Sequence, residues 1–165
     1  MGQYFLVVCK EKRQFLHPPV FGDGLKFLEF AASGAGTMLG LATLLRQSGP
    51  GGFGDIEAES PTVAGTWAGK SVTIVGDYDE SDLYSTALTK YEDISYPVLA
   101  ELCCSALIGQ EFKRRLQDRL TMLGEAAAWR DEEETKKEIA AIREVLRKGK
   151  EAEMRRTEAV DVRGK

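Results

Sequence analysis

Hydrophobic spacing divides the chain into a mixed first part and a helical second part. Tyr4 to Cys9 is an aromatic and β-branched run, and Gln14 to His17 is a second short extended run. Charged Lys10 to Arg13 lies between them, so the pattern predicts a β-hairpin with a polar turn. Pro18 and Pro19 break regular structure, Pro19 holding Pro18 extended, and Phe21-Gly-Asp-Gly24 reads as a turn. Leu25, Phe27 and Leu28 start a short helix that ends by Ala32. Ser33 is the expected N-cap of a second helix from Ala35 to Gln47, whose Met38, Leu41, Ala42 and Leu45 share a face. Ser48 to Asp55, rich in glycine, is expected to be a loop.

Thr62 to Trp67 and Ser71 to Val75 flank a tight Ala68-Gly69-Lys70 turn and predict a second hairpin. Gly76 to Asp82 is an acidic loop, and Leu83 to Tyr91 fits a strand or a helix. Ser95 can cap a long helix that tolerates Pro97 in its first turn. Leu99, Leu102, Cys103, Ala106 and Leu107 begin its apolar face; Leu116, Leu120 and Leu123 continue it, and Gly124 interrupts it. From Asp131 the chain turns into a charged helix with three i,i+4 pairs, Glu132–Lys136, Glu133–Lys137 and Glu144–Lys148. Ile139, Ile142 and Leu146 form a narrow seam, too short for a coiled coil. Gly149 and the polar tail are expected to fray.

The fold class is therefore α+β: two short β-hairpins packed with helices, followed by a long C-terminal helical extension. Residues 1–124 are expected to form the compact module, and residues 125–165 the charged extension with its frayed tail.

Composition narrows the class. With 165 residues, 43% of them hydrophobic and 29% charged, the chain is of globular type. The longest uncharged run, ending at Leu45, is too short and too broken by glycine to span a membrane. No secretory leader is visible, and Leu6 occupies the place where a myristoylation signal wants Ser or Thr. Cys9, Cys103 and Cys104 are too few for a disulfide framework. A reduced, cytoplasmic protein is expected. Residues 1–94 carry 7 basic and 12 acidic side chains, and residues 95–165 carry 15 and 14. Neither part has the net basic balance of a nucleic-acid binder, and the one dense basic cluster is Lys113, Arg114, Arg115 and Arg119.

Candidate chemistry is sparse. Asp77, Asp79 and Asp82 could converge on Mg²⁺ or Ca²⁺, since hard cations take carboxylate oxygens. Their spacing misses the EF-hand pattern, and solvated turns often have this composition. Gly34-Ala-Gly36-Thr37 opens a helix whose amides could hold a phosphate, but Leu39 stands where a dinucleotide fingerprint needs glycine. Trp67-Ala-Gly-Lys70-Ser71 looks like the end of a phosphate loop, but Ala64 stands in place of its first glycine. His17, the only histidine, excludes a multi-histidine metal site and reads as a strand-end residue. Cys103 and Cys104 read as core fillers. Phe53, an aromatic inside a glycine-rich loop, is a candidate for partner contact.

An ordered set of motifs carries one resemblance: Met1-Gly-Gln-Tyr4, Leu16-His-Pro18, Phe21-Gly-Asp-Gly-Leu-Lys26, Leu28-Glu-Phe30, Gly36-Thr-Met38, Trp67-Ala-Gly69, Val75-Gly-Asp-Tyr78 and Tyr91-Glu-Asp-Ile-Ser95. Together they resemble a group of small uncharacterised proteins of prokaryotes and their viruses, over about residues 1–96. Pro19-Val20 departs from the pattern, and the charged helix past about 110 is this chain's own addition. The resemblance implies one module with architectural glycines and carries over no activity.

The functional expectation is a non-enzymatic interaction module that binds a protein partner or self-associates through the extension. Phe53, Ile139, Ile142 and Leu146 are the candidate contacts. Burying Ile139, Ile142, Val145 and Leu146 gives roughly 6–12 kcal/mol, less than it costs to order some twenty residues. A partner or a second copy would supply the difference. The alternatives are a metal-assisted enzyme acting on phosphorylated substrates, with Asp77, Asp79 and Asp82 as ligands and Lys70 on the phosphate, or an inhibitor or regulator encoded by a mobile element.

Overall fold

The computed structural model describes residues 2–47, 63–105, 108–126 and 131–163. They form an α+β fold and fall into two compact units, one from residues 2–47 and 63–98, the other from 99–163. The division lies well ahead of the expected boundary at 124. No helix among the described residues is long and apolar enough to cross a membrane.

In the first unit, β1 (Phe5–Cys9) and β2 (Gln14–Leu16) form the expected antiparallel hairpin, with Val7 opposite Leu16. Arg13 closes its turn in the left-handed region at φ 53, its amide donating to Lys10 O. The second strand, β3 (Val72–Gly76), also forms, but its partner differs from expectation. It pairs antiparallel with β1, Leu6 opposite Val75, while Thr66, Ala68 and Lys70 each donate to the carbonyl three residues back. Residues 63–70 are thus a chain of turns and not a strand. Gly65 and Gly69 take positive φ, and the free carbonyls of Thr43 and Leu44 capture the amides of Gly65 and Trp67. Helix ends leave such carbonyls without intrahelical partners. Turn chemistry and these acceptors outweigh local strand propensity. A two-residue β4 (Glu92–Asp93) runs parallel to β2, giving the order β3-β1-β2-β4.

Both faces of this sheet are covered, which is why Leu6, Val7, Val8 and Cys9 are all buried in succession. Leu6, Val8, Phe15 and Val75 pack with Leu83 and Ala87. The last two lie on α3 (Leu83–Lys90), so the ambiguous segment is a helix, its two buried residues one helical repeat apart. The opposite face carries Val7 and Leu16, with Phe5 edge-on to Phe27 at 5.7 Å and Phe27 edge-on to Phe30 at 5.8 Å. Phe27 and Phe30 belong to α1 (Phe27–Ala31), which packs against α2 (Thr37–Leu45). Trp67 is fully buried, its indole N–H donating to Gln14 Oε1 at 3.0 Å. Pro18 to Phe21 form a short 3-10 turn, since proline tolerates the first positions of a helix.

The expected long helix from Ser95 is two helices, α4 (Ser95–Cys103) and α5 (Gly109–Ala126). Ser95 is spent elsewhere: its hydroxyl accepts the His17 amide at 2.7 Å, and Asp93 Oδ1 accepts the Ser95 amide. The break comes where the Cys104 amide is shared between the Ala100 and Glu101 carbonyls and Ser105 bonds back to Leu102. Such tightening is how helices end. Gly124 does not interrupt α5, and Gly149 does not fray α6 (Glu132–Arg163), which passes straight through it.

In the second unit α5 packs along α6. Phe112, Leu116 and Leu123 are buried on one helix, Thr135, Ile142, Val145 and Gly149 on the other. Arg119 and Glu138 form a side-chain ion pair through two guanidinium nitrogens, with Nε donating to Oε1 at 2.6 Å. Lys113 Nζ, on a side chain only 11% exposed, reaches Glu153 at 2.9 Å. Since 113 pairs with 153 and 119 with 138, the helices run antiparallel. Asp131 starts α6, its carboxylate accepting the Glu134 amide at 2.8 Å. Glu132, Glu133 and Glu134 follow in the first turn, where the helix dipole favours acids.

Candidate functional site

Both phosphate-like motifs fold around carboxylates of the chain itself. At the start of α2, Asp23 Oδ2 accepts the Thr37 amide at 2.6 Å and the Thr37 hydroxyl at 2.7 Å. Asp23, and not Ser33, therefore caps the helix, and any side chain at Gly36 would overlap its carboxylate. The anion position is filled from 14 residues away. At the other motif, Glu11 Oε1 accepts the Ser71 amide at 2.9 Å, and Glu11 Oε2 pairs with Lys70 at 3.1 Å. Those contacts, the Ser71 amide first and then Lys70, hold the Glu11 carboxyl below its ordinary range. Lys70 thus neutralises an internal acid where the enzymatic alternative needs it on substrate.

The acidic loop turns inward on its own backbone. Asp77 Oδ1 accepts the Tyr4 amide at 3.1 Å, and the Asp77 amide donates to Tyr4 O, extending the β1–β3 ladder. Asp79 accepts the hydroxyl and the amide of Ser81, which lowers its pKa. Asp82 stands before α3 in the left-handed region at φ 55 and makes no capping bond with its side chain. Among the described residues no group of three or more His, Cys, Asp or Glu could hold a metal ion, Asp77, Asp79 and Asp82 included. Beside them the Tyr84 phenol is pushed up, first by burial, then by Asp77 and Tyr4.

The expected contact residues meet different fates. Phe53 lies outside the described residues. Ile142 is fully buried and Val145 nearly so, on the side of α6 that α5 covers. Ile142, an expected partner contact, is thus buried within the chain. Ile139 and Leu146 are half-buried, and Met154 is 51% exposed. The helical repeat sets these three on one flank, beside the row formed by Thr135, Ile142 and Gly149. Burial pushes the Cys103 thiol up to about 12 and raises Cys104 as well, so both are poor nucleophiles at neutral pH.

Sequence reading missed Asp23, Glu11 and the two interhelical ion pairs. No local signal could have found them, because each partner lies between 14 and 60 residues away. No protein family, curated protein or solved structure matches this chain.

Proposed function

We propose that this chain is a non-enzymatic protein-interaction module working through the solvent-facing flank of its helix pair. One observation carries the reading: α5 satisfies Ile142 and Val145, yet Ile139, Leu146 and Met154 remain partly or largely exposed along a second flank of α6. A helix of 32 residues is about 48 Å long, while the 18-residue α5 can cover only about 27 Å of it. The remaining surface is long, charged and interrupted by apolar side chains, as interaction helices are. The metal-assisted alternative loses its ingredients, because Lys70, Asp77 and Asp79 are each committed to contacts within the chain. The regulator carried by a mobile element is a narrower form of the same interaction reading and adds no residue to it.

The test is quantitative co-purification of the full chain from its native cell, compared with a variant carrying Ile139→Gln, Leu146→Gln and Met154→Gln. The far-UV circular dichroism of both should match. Stoichiometric recovery of a partner, own copies included, with wild type and its loss with the variant is the expected result. No partner with wild type would refute the reading.

A further inference from the structure

The two edges of the sheet in the first unit are unlike. β4 is two residues long and both are acids, Glu92 accepting from Gln14 Nε2 and Asp93 from the Ser95 amide, each at 2.9 Å. Short, charged edges resist pairing with other chains. β3, at the opposite edge, is Val72-Thr-Ile-Val-Gly76, with no charge, no proline and four β-branched residues in a row. Its backbone phase follows from its neighbour. The Phe5 amide donates to Leu25 O, away from β3, and the Asp77 amide donates to Tyr4 O. Tyr4, Leu6 and Val8 therefore bond toward β3, Thr73 and Val75 bond back, and Val72, Ile74 and Gly76 point outward. The Asp79 amide closes the outward Gly76 carbonyl at 3.1 Å. Among the described residues no hydrogen bond reaches the outward groups of Val72 and Ile74. Thr73 and Ile74 are both exposed.

We infer that this edge pairs antiparallel with β3 of a second copy of the chain, about a two-fold axis through Thr73. The surface is separate from the α6 flank and does not rest on that reading. In this register Val72 lies opposite Ile74 of the second copy, and the pair occurs twice, as an isologous interface requires. Each pair exchanges two N–H···O bonds, so every outward group of Val72 and Ile74 is satisfied. An axis through Ile74 would instead set Val72 against Gly76 and need the carbonyl that Asp79 already holds. A foreign strand would have to bring the same spacing of open groups; a second copy brings it by symmetry. Side chains match in the same register. Val72, half-buried, and Ile74, 36% exposed, cover each other on one face. On the other face Thr73 meets Thr73 of the second copy in a non-hydrogen-bonded pair, where side chains come closest. Residues 71–76 carry no charge, so no like charges face each other across the strands. With β4 blunted, each chain offers one edge, and pairing closes at two copies. A short strand edge is a small interface, so association is expected only at high micromolar concentration.

Sedimentation velocity of the full chain up to about 1 mM, with hydrogen exchange of residues 71–76 at low and high concentration, tests this. Wild type should dimerise as concentration rises, and the Ile74 amide should gain protection with it. Thr73→Lys and Thr73→Glu each set like charges face to face at the axis and should each weaken the dimer at least tenfold. Their equimolar mixture sets Lys against Glu and should recover a one-to-one dimer. Ile74→Pro removes an outward donor and spares the β1 ladder, since an edge N–H that faces solvent tolerates proline. It should be monomeric with the circular dichroism of wild type, so that a lost dimer reports pairing and not unfolding. Replacing Ile139, Leu146 and Met154 leaves β3 untouched and should leave this dimer intact, so failure here and failure of the α6 reading are told apart. A wild type monomeric at every concentration would overturn the inference. So would a dimer that withstands both Thr73 substitutions, a mixture no tighter than its components, or exchange at 71–76 that does not respond to concentration.

Discussion

Gly149 sits in the interior of α6 and Gly124 in the last turn of α5; replacing an interior helical glycine by alanine normally stabilises by about 1 kcal/mol. Their surroundings differ. A Cβ at Gly124 meets nothing within 4 Å, whereas one at Gly149 lies 2.9 Å from Lys113 Cε, 3.2 Å from Cys103 O and 3.3 Å from Cys103 Cβ. The lysine stem can move aside, but the Cys103 carbonyl is backbone and must be displaced. Gly124→Ala, unobstructed but in the last turn, should gain up to about 1 kcal/mol, the interior helix-propensity value, and raise the melting temperature by up to roughly 2–4 °C for a chain of this size. Gly149→Ala should gain little or nothing. Gly149→Val adds two further methyl groups to the same contact and should lose about 1–3 kcal/mol by overpacking. Thermal and urea unfolding, followed by far-UV circular dichroism, give both numbers. The double variant Lys113→Ala with Gly149→Ala isolates the lysine's share, because residues in contact deviate from additivity. A Gly149→Val protein as stable as wild type would refute the close approach of α6 at this point, and so would equal gains from alanine at both glycines.

Three further outcomes are expected. Asp23→Ala should lower the urea midpoint by the equivalent of about 1–2 kcal/mol, the usual value of a helix N-cap, with Asp23→Asn losing less; an unchanged midpoint would show that the cap contributes nothing. Acid should destabilise the fold: Arg114 and then Arg115 hold Glu111 down to about 2 from 4.5, and Glu11, Asp79, Glu144 and Glu153 are lowered too. Because these folded-state values lie below the unfolded ones, their contribution is complete above about 4.5 and is lost as pH falls toward about 2; a urea midpoint that rises on acidification contradicts this. Finally, half-exposed Cys104 should alkylate first in the native protein, with buried Cys9 and Cys103 reacting only on unfolding; peptide mass spectrometry showing Cys103 modified as fast as Cys104 would contradict the burial that raises its thiol.

Elements whose signal is local were legible in the sequence, and those decided by distant partners were not. The hairpin of β1 and β2 has its strands and its turn within twelve consecutive residues, so the pattern and the structure agree. β3 was legible as a strand because Val72, Ile74 and Val75 suit a pleated surface. Its pairing was not, since the choice between Thr62–Trp67 and β1 depends on where the carbonyls of α2 end up. The division of α4 from α5 was likewise hidden, because apolar spacing runs on from Leu102 to Leu123 without a proline between. On α6 the apolar seam is legible in the spacing, but the burial of Ile142 and Val145 within the chain is not. A helix pattern reports that one face is buried, not which neighbour buries it, and α5 carried a matching face only eight residues upstream of Asp131.

The same locality explains why the chemical motifs misled. A glycine pair opening a helix produces free amides and a positive helix end, whatever anion then occupies them. A phosphate and an aspartate are equivalent answers to that local demand. Here the chain supplies the aspartate itself, from a turn 14 residues upstream, and it supplies Glu11 to the Lys70–Ser71 turn from 60 residues upstream. Each internal carboxylate joins segments that the sequence keeps apart, so these contacts fix the tertiary arrangement of the first unit. Removing either should open an anion position and loosen the fold together, which a binding site for an external phosphate would not do. The glycines and the lysine are therefore read best as architecture, and the search for function moves to the charged flank of α6.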